Sequence, residues 1–172
     1  LRSLGEITDT TSIKVRRQYE NNPYPRWVRA QIRPEAVSAD IVFKQSALRF
    51  PARCELNLTA PEILIAGCGT GQHAIESAAT WRDSRLLAVD ISLMSLSYAK
   101  RKTRELGLEN IEFLHADILA LRSLNREFDI VECVGVLHHM RDPEAGLRVL
   151  ADLLKPGGLI KLGLYSETAR AH

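Results

Sequence analysis

The chain has 172 residues, of which 45% are hydrophobic and 26% charged, and its formal net charge is +2. This is the composition of a globular protein of about one domain, and it excludes an intrinsically disordered chain. No apolar run reaches the roughly 20 residues that span a bilayer, so no membrane partner is expected. The three cysteines are odd in number and lack metal-ligand spacing, which predicts a cytoplasmic protein without a disulfide framework or metal site.

The basic residues are scattered along the chain except for one group on a predicted helix. This group comprises Lys100, Arg101, Lys102 and Arg104. We interpret it as a solvated helix face, and nucleic acid is therefore not an expected partner. The chain begins with Leu1 rather than methionine, which suggests a piece of a longer protein.

Residues 1–60 are predicted to form an N-terminal extension of helix and aromatic loop. Residues 13–20 have a helical pattern, with Thr11 or Ser12 as the cap. The segment 21–27 contains two prolines, which forbid regular structure. A second helix over 34–50 and a connector over 51–61 complete the extension.

Residues 61–172 alternate short apolar runs with amphipathic stretches. This pattern is typical of an α/β fold in which crossover helices cover both faces of a parallel sheet. The five predicted strands are 62–66, 85–90, 110–115, 128–134 and 159–165.

Two of the predicted helices carry clear boundary signals. Ser92 stands where an N-cap belongs, and Gly107 follows the last helical residue of the same segment. Asp142 and Pro143 read as the cap and first residue of the next helix. We expect the Lys-Pro-Gly-Gly segment at 155–158 to stop that helix.

The sharpest motif is a glycine-rich turn between the first strand and a helix. Gly67, Gly69 and Gly71 alternate directly after the apolar run 63–66. Glycine permits positive φ in such a turn and lets a ligand approach the backbone. The spacing is G-x-G-x-G, whereas the dinucleotide fingerprint is G-x-G-x-x-G, so the motif indicates a nucleoside cofactor more than a dinucleotide.

Two acids follow the next two strands. Asp90 ends the second strand, where a carboxylate can accept hydrogen bonds from ribose hydroxyls. The alternative is that its charge interacts with the dipole at the N-terminus of the following helix. Nicotinamide enzymes also place an acid there. Asp117 could receive an adenine amino group or simply cap its loop.

A pair of histidines follows the fourth strand. His138 and His139 follow the carboxyl end of the fourth strand, where the molecule that is to be modified would approach the sheet. Either histidine could act there as a general base. The alternative is that they hold the loop by packing and hydrogen bonding.

The segments GCGTGQH, LLAVDIS, HADIL and FDIVECVGVLHHMRDPEAGLRVLADLLKPGG resemble the class I S-adenosylmethionine (SAM) dependent methyltransferases. The resemblance covers residues 62–165 and is strongest to the group that includes ubiquinone and menaquinone biosynthesis enzymes. QYENNPYPRW at 18–27 and GLYSETAR at 163–170 are similar to bacterial methyltransferase domains fused to tetratricopeptide repeats. The resemblance to class I methyltransferases implies a Rossmann-like doubly wound sheet with SAM as cofactor. The similarity to the fused domains implies a tetratricopeptide-repeat region in the parent chain.

The resemblance also implies the site. The cofactor-binding residues would be Gly67, Cys68, Gly69, Thr70, Gly71, His73, Asp90, Ile91, Asp117, Ile118 and Val134. Tyr19, Tyr24 and Arg26 would form a lid with Trp27, in which Arg26 or a tyrosine reaches the methionine carboxylate. An aromatic cluster that packs the N-terminal segment on the core is the alternative.

Members of this family continue past the fifth strand into two more. We therefore expect a truncated sheet whose fifth strand has a bare edge, open to self-association or to a partner. The resulting prediction is a SAM-dependent methyltransferase with an unidentified acceptor. A non-catalytic SAM-binding or interaction module and an NAD(P)-dependent oxidoreductase are the alternatives.

Overall fold

The computed structural model describes residues 1–32, 35–38, 41 and 59–165. Its strands are β1 (Arg2–Ser3), β2 (Glu62–Ala66), β3 (Arg85–Asp90), β4 (Ile111–His115), β5 (Phe128–Val134) and β6 (Leu154–Gly163). Its α-helices are α1 (Thr10–Asn21), α2 (Gln72–Thr80), α3 (Leu93–Glu105) and α4 (Pro143–Asp152). Two 3₁₀ helices span Ile118–Ser123 and Leu137–His139.

The strands form one parallel sheet in the order β1-β4-β3-β2-β5-β6. Alternate residues of each central strand face opposite sides, so Leu64 and Ile63 belong to two separate hydrophobic clusters. The chain crosses from one half of the sheet to the other between β4 and β5. The carboxyl ends of β2 and β5 therefore flank the crevice in which open α/β sheets bind ligands. The predicted doubly wound α/β fold is confirmed.

The first, second and fourth predicted strands are confirmed residue by residue as β2, β3 and β5, and the third as β4 with a start one residue later. The prediction for the last strand is wrong at both ends. Helix α4 ends at Asp152 and β6 begins at Leu154, so residues 155–158 lie inside the strand. They fit because the register against β5 shifts between Phe128 and Ile130, which leaves room for an irregular segment.

The helix caps follow the sequence with one exception. Ser92 accepts a hydrogen bond from the Ser95 N–H, and Asp142 caps α4, as predicted. For α1 the prediction is wrong: the cap is Asp9, whose carboxylate accepts hydrogen bonds from the Thr11 and Ser12 N–H groups. The predicted helix 34–50 and connector 51–61 lie almost wholly outside the described residues.

The two edges of the sheet differ. At one edge β1 pairs with β4, a two-residue strand that the sequence analysis did not predict. At the other, β6 pairs with β5 alone among the described residues, so its outer edge carries unpaired backbone groups there. Association through this edge stays a prediction. Within the same part of the chain, no helix combines the length and apolarity needed to cross a bilayer.

Candidate cofactor and active site

The glycine turn has the backbone that its sequence predicts. The φ angles of Gly67, Gly69 and Gly71 are 79°, 53° and 86°. A Cβ atom on Gly69 would collide with the backbone oxygen of Tyr24, and one on Gly71 with Ala99 of α3. The turn thus needs glycine for the close approach of the N-terminal loop and of α3.

Asp90 is buried at the end of β3 and is bonded to the glycine turn. Its Oδ2 accepts a hydrogen bond of 2.7 Å from the Gly69 N–H, and its Oδ1 one of 2.8 Å from the Ser92 N–H. Burial raises the pKa of this carboxyl above its ordinary value, and the backbone donors Ser92 and Gly69 offset part of that rise. A ligand that donated further hydrogen bonds would stabilise the ionised form.

Asp117 has a capping role that the sequence left open. Its Oδ1 accepts a hydrogen bond of 2.9 Å from the Leu119 N–H, at the start of the first 3₁₀ helix. Asp117 and Ile118 nevertheless both line the cavity described next. The cap fixes the carboxyl group beside the end of β4.

A cavity of about 680 Å³ opens at the carboxyl ends of the strands. Its volume is in the range of small-molecule and cofactor sites. Twelve of the residues predicted for the site line it: Tyr19, Tyr24, Gly67, Cys68, Gly69, His73, Asp90, Ile91, Asp117, Ile118, Val134 and His139.

Four other predicted residues do not line this cavity. The Thr70 hydroxyl is buried against the loop, where it donates to the Pro25 carbonyl and accepts from Trp27 Nε1. Gly71 faces Ala99. Arg26 is exposed, and the ring of His138 packs against that of His139 with 4.2 Å between the centroids.

The N-terminal segment covers the cavity and is held at two places. Tyr19 of α1 and Tyr24 of the following loop contribute to the lining. Glu20 anchors α1, because its carboxylate accepts hydrogen bonds from two N–H groups in the first turn of α3, those of Leu93 at 2.7 Å and Met94 at 3.2 Å. The Thr70 N–H donates to the Tyr24 carbonyl and holds the loop. The extension thus forms a roof.

Trp27 has a packing role. Its ring meets that of Tyr98 edge-on at 5.7 Å between centroids, and the Tyr98 hydroxyl donates to the Trp27 carbonyl. The two interpretations of the aromatic loop therefore apply to different residues: Trp27 packs the loop on the core, and Tyr24 faces the cavity.

The two histidines occupy different positions. His138 lies between rings, with centroids 4.2 Å from both His139 and Tyr165. His139 is exposed, lines the cavity and has its ring 6.4 Å from that of Tyr19. Of the pair, His139 is the one placed to meet a ligand.

A charged cluster where β5, β6 and the head of α2 meet was not predicted as a unit. His73 Nε2 lies 2.6 Å from Glu132 Oε2, and Lys161 Nζ lies 3.0 Å from the same oxygen. Burial raises the pKa of Glu132, but His73 and Lys161 lower it by more, so it lies below its ordinary value. The signal available in the sequence was a charged residue in the middle of a buried apolar strand, which requires a partner.

Comparison with known proteins identifies the family of this fold and site. A family model described as a methyltransferase domain matches residues 63–158. The chain is 39% identical over 115 residues to an uncharacterised Synechococcus protein, covering 66% of the chain and 28% of that protein. It is 28% identical over 118 residues to the ubiquinone biosynthesis O-methyltransferase of Stutzerimonas stutzeri, covering 68% of the chain and 50% of that enzyme. The chain thus spans at most half the length of these two relatives.

Solved structures agree. A SAM-dependent methyltransferase from Clostridium acetobutylicum superposes with a TM-score of 0.53 and 28% identity, over 59% of this chain and 41% of that one. A Geobacter sulfurreducens SAM-dependent methyltransferase in complex with S-adenosylhomocysteine (SAH) superposes with a TM-score of 0.52 and 24% identity, over 60% of this chain and 41% of that one. The second likeness, at its low identity, supports the fold alone.

Proposed function

Because the chain belongs to this methyltransferase domain family, we propose that the protein transfers the methyl group of SAM to an acceptor molecule. The observation that carries the proposal is the buried Asp90 carboxylate, which faces the cavity and is bonded to the Gly69 N–H of the glycine turn. This arrangement places a hydrogen-bond acceptor beside the glycine backbone that lines the crevice of the sheet. Such a pair suits a nucleoside whose sugar hydroxyls need an acceptor.

The order of the strands supports one orientation of the cofactor. Asp117 and Ile118 follow β4 and would receive the adenine, while Asp90 and Ile91 follow β3 and would hold the ribose. Gly67, Cys68 and Gly69 follow β2 and would lie along the methionine part, with Val134 of β5 next to it. SAM supplies a methyl group already activated by the sulfonium, so the task of these residues is mainly orientation, which contributes up to about 7–11 kcal/mol in favourable cases.

His139 is our candidate for the general base. It lines the cavity at the carboxyl end of β5, where an acceptor can reach it. An imidazole there can take a proton from the acceptor as its nucleophilic atom attacks the methyl group. His138 would support it by packing against its ring, with 4.2 Å between the centroids and a tilt of 56°.

The tyrosines of the roof would shield the bound cofactor from water. Tyr19 and Tyr24 lie on a segment fixed by Glu20 and by the Thr70 N–H. Since Arg26 is exposed and not in the lining, the methionine carboxylate would need a different cation.

Two proposals concern the surroundings of the domain. Among the residues that the structure describes, the outer edge of β6 has no strand partner, which supports pairing with a second copy of the chain or with another partner. Cys68 and Cys133 are buried free thiols, which supports placement in the reducing cytoplasm.

Calorimetric titration tests the proposal. We expect SAM and SAH to bind and NADH not to bind, and we expect Asp90→Asn to weaken SAH at least tenfold, since hydrogen bonds to a charged group contribute about 1.5–3 kcal/mol. Asp152→Asn, an exposed acid at the end of α4, is the matched control. Binding of NADH in place of SAH would contradict the proposal. Methyl transfer from labelled SAM by the full-length protein then separates an enzyme from a non-catalytic binding module.

A further inference from the structure

The wall formed by β5, β6 and the head of α2 carries a charged cluster that consists of His73, Glu132 and Lys161, here called the basic wall. We propose that Lys161 and His73, held in place by Glu132, form a binding subsite for a carboxylate group. The inference rests on the proposed function and names the chemistry of a part of the cavity that it leaves unassigned.

In the basic wall one buried carboxylate holds two more exposed side chains. Glu132 and Lys161 are register partners on adjacent strands, and both bond distances to Glu132 Oε2 are short, 2.6 Å from His73 Nε2 and 3.0 Å from Lys161 Nζ. The Glu132 side chain is only 4% exposed, whereas those of His73 and Lys161 are 32% and 61% exposed. The carboxylate is therefore an internal support, and its two partners are accessible to a ligand.

Lys161 keeps hydrogen-bonding capacity for that ligand. Its ammonium group has three N–H donors, and Glu132 takes one of them. The group lies 3.4 Å from His73 Nε2. Since the N–H at Nε2 is directed to Glu132, a ligand carboxylate would take its hydrogen bonds from the Lys161 ammonium group, beside the His73 ring. His73 is also in the first turn of α2, where the helix dipole favours an anion.

The charges around the cavity favour this position for an anion. Among the described residues that line the cavity, Lys161 is the one lysine or arginine, whereas Glu76, Asp90 and Asp117 are acids. Glu76 lies one turn after His73 on α2, where its Oε1 accepts hydrogen bonds from the Gln31 N–H and from Gln72 Nε2. Asp90 and Asp117 lie at the ends of β3 and β4, on the far side of β2. An entering carboxylate would be repelled there and attracted to the basic wall.

Two molecules could supply the carboxylate. In the proposed orientation the cofactor runs from β4 across β3 to β2, so its amino-acid end points toward β5 and β6. An acidic acceptor would approach the same strand ends. The shared chemistry is a carboxylate, and the source is decided by experiment.

The first experiment compares two ligands by calorimetry on the wild-type chain and on Lys161→Met. SAH carries the amino-acid carboxylate, and 5′-methylthioadenosine has the same nucleoside and thioether without it. We expect Lys161→Met to lower the affinity for SAH at least tenfold and the affinity for 5′-methylthioadenosine less than about twofold. This result would identify the cofactor as the source of the carboxylate. His73→Asn should act in the same direction. Lys155→Met is the matched control, because Lys155 lies on the same strand but bonds Asp129.

The second experiment applies if the SAH affinity is unchanged in Lys161→Met. Benzoate is then titrated into the SAH-saturated proteins, and binding to the wild type that is lost in Lys161→Met identifies an acceptor carboxylate. Equal binding of SAH and of benzoate to both proteins would overturn the subsite alone, while the proposed function stands. Failure of the wild type to bind SAH and 5′-methylthioadenosine would overturn both.

Discussion

The Gly69 N–H and the Asp90 carboxylate are joined by a hydrogen bond of 2.7 Å between the turn after β2 and the end of β3. The bond fixes the distance between the two strand ends that we propose to hold the ribose and methionine of the cofactor. Since Asp90 also accepts from the Ser92 N–H, its carboxyl group is oriented before a ligand arrives. Preorganised acceptors of this kind bind more tightly because no ordering is needed at binding.

Replacement of Gly69 by alanine tests the close approach of the N-terminal loop. The new Cβ would collide with the Tyr24 carbonyl oxygen, and the residue would also have to keep a φ of 53°. Gly107→Ala is the control, since Gly107 has a φ of 69° but open space around a Cβ. We expect Gly107→Ala to lower the free energy of unfolding by about 1 kcal/mol and Gly69→Ala to lower it by about 2–4 kcal/mol. Gly69→Ala should also lose SAH binding. Equal losses in urea denaturation would show that the loop contact is unimportant.

Replacement of Glu20 by alanine tests the anchoring of the roof. The variant loses the acceptor for the Leu93 and Met94 N–H groups, and loss of a helix cap costs about 0.5–2 kcal/mol. We expect faster amide hydrogen exchange throughout α1 and weaker SAH binding, while the exchange of β2 and β3 stays unchanged. The control is Glu109→Ala, at an exposed acid in the loop before β4, which should change neither the hydrogen exchange of α1 nor the affinity for SAH. Unchanged protection of α1 in Glu20→Ala would refute the anchor.

Replacement of Glu132 by glutamine tests the charge of the basic wall. Burial raises the pKa of Glu132, and His73 and Lys161 lower it further than burial raises it. Because the pKa in the folded protein is below the ordinary value of 4.5, ionised Glu132 stabilises the fold above about pH 4.5, and this contribution is lost as the pH falls through the folded-state pKa.

We therefore expect Glu132→Gln to be less stable than the wild type at about pH 7, by about 1–3 kcal/mol, and the difference to shrink toward about pH 3. Urea denaturation at both pH values measures it. Glu112→Gln, at a half-exposed acid on β4 that pairs with Arg126, should change stability by at most about 1 kcal/mol. A difference for Glu132→Gln that is the same at both pH values would contradict the ionic role.

Much of the central sheet was predictable from the sequence, because β2 and β3 have apolar interiors that are buried on both faces, and in β5 only Asp129 and Glu132 interrupt such a run. The start of β6 was not, since Pro156, Gly157 and Gly158 are typical of a break and are accommodated only by a register shift against β5. Strand β1 has two exposed residues, Arg2 and Ser3, and its existence depends on the pairing with β4, which no local pattern shows.

The site was predictable where a motif fixes the backbone and not where side chains meet across elements. The glycine turn and Asp90 follow from their own segments. The contact between His73, Glu132 and Lys161 joins three elements, and in the sequence Lys161 has the appearance of a solvent-facing strand residue. The position of Arg26 outside the cavity likewise follows from how the loop docks on Thr70.

The crystal structure of the SAH complex is the most direct test of the central claim that the nucleoside lies across the ends of β4, β3 and β2. We expect both ribose hydroxyls within hydrogen-bonding distance of the Asp90 carboxylate, the adenine beside Asp117 and Ile118, and the thioether sulfur near Gly67 and Gly69. SAH density away from Asp90, or a ribose that Asp90 does not contact, would contradict the account.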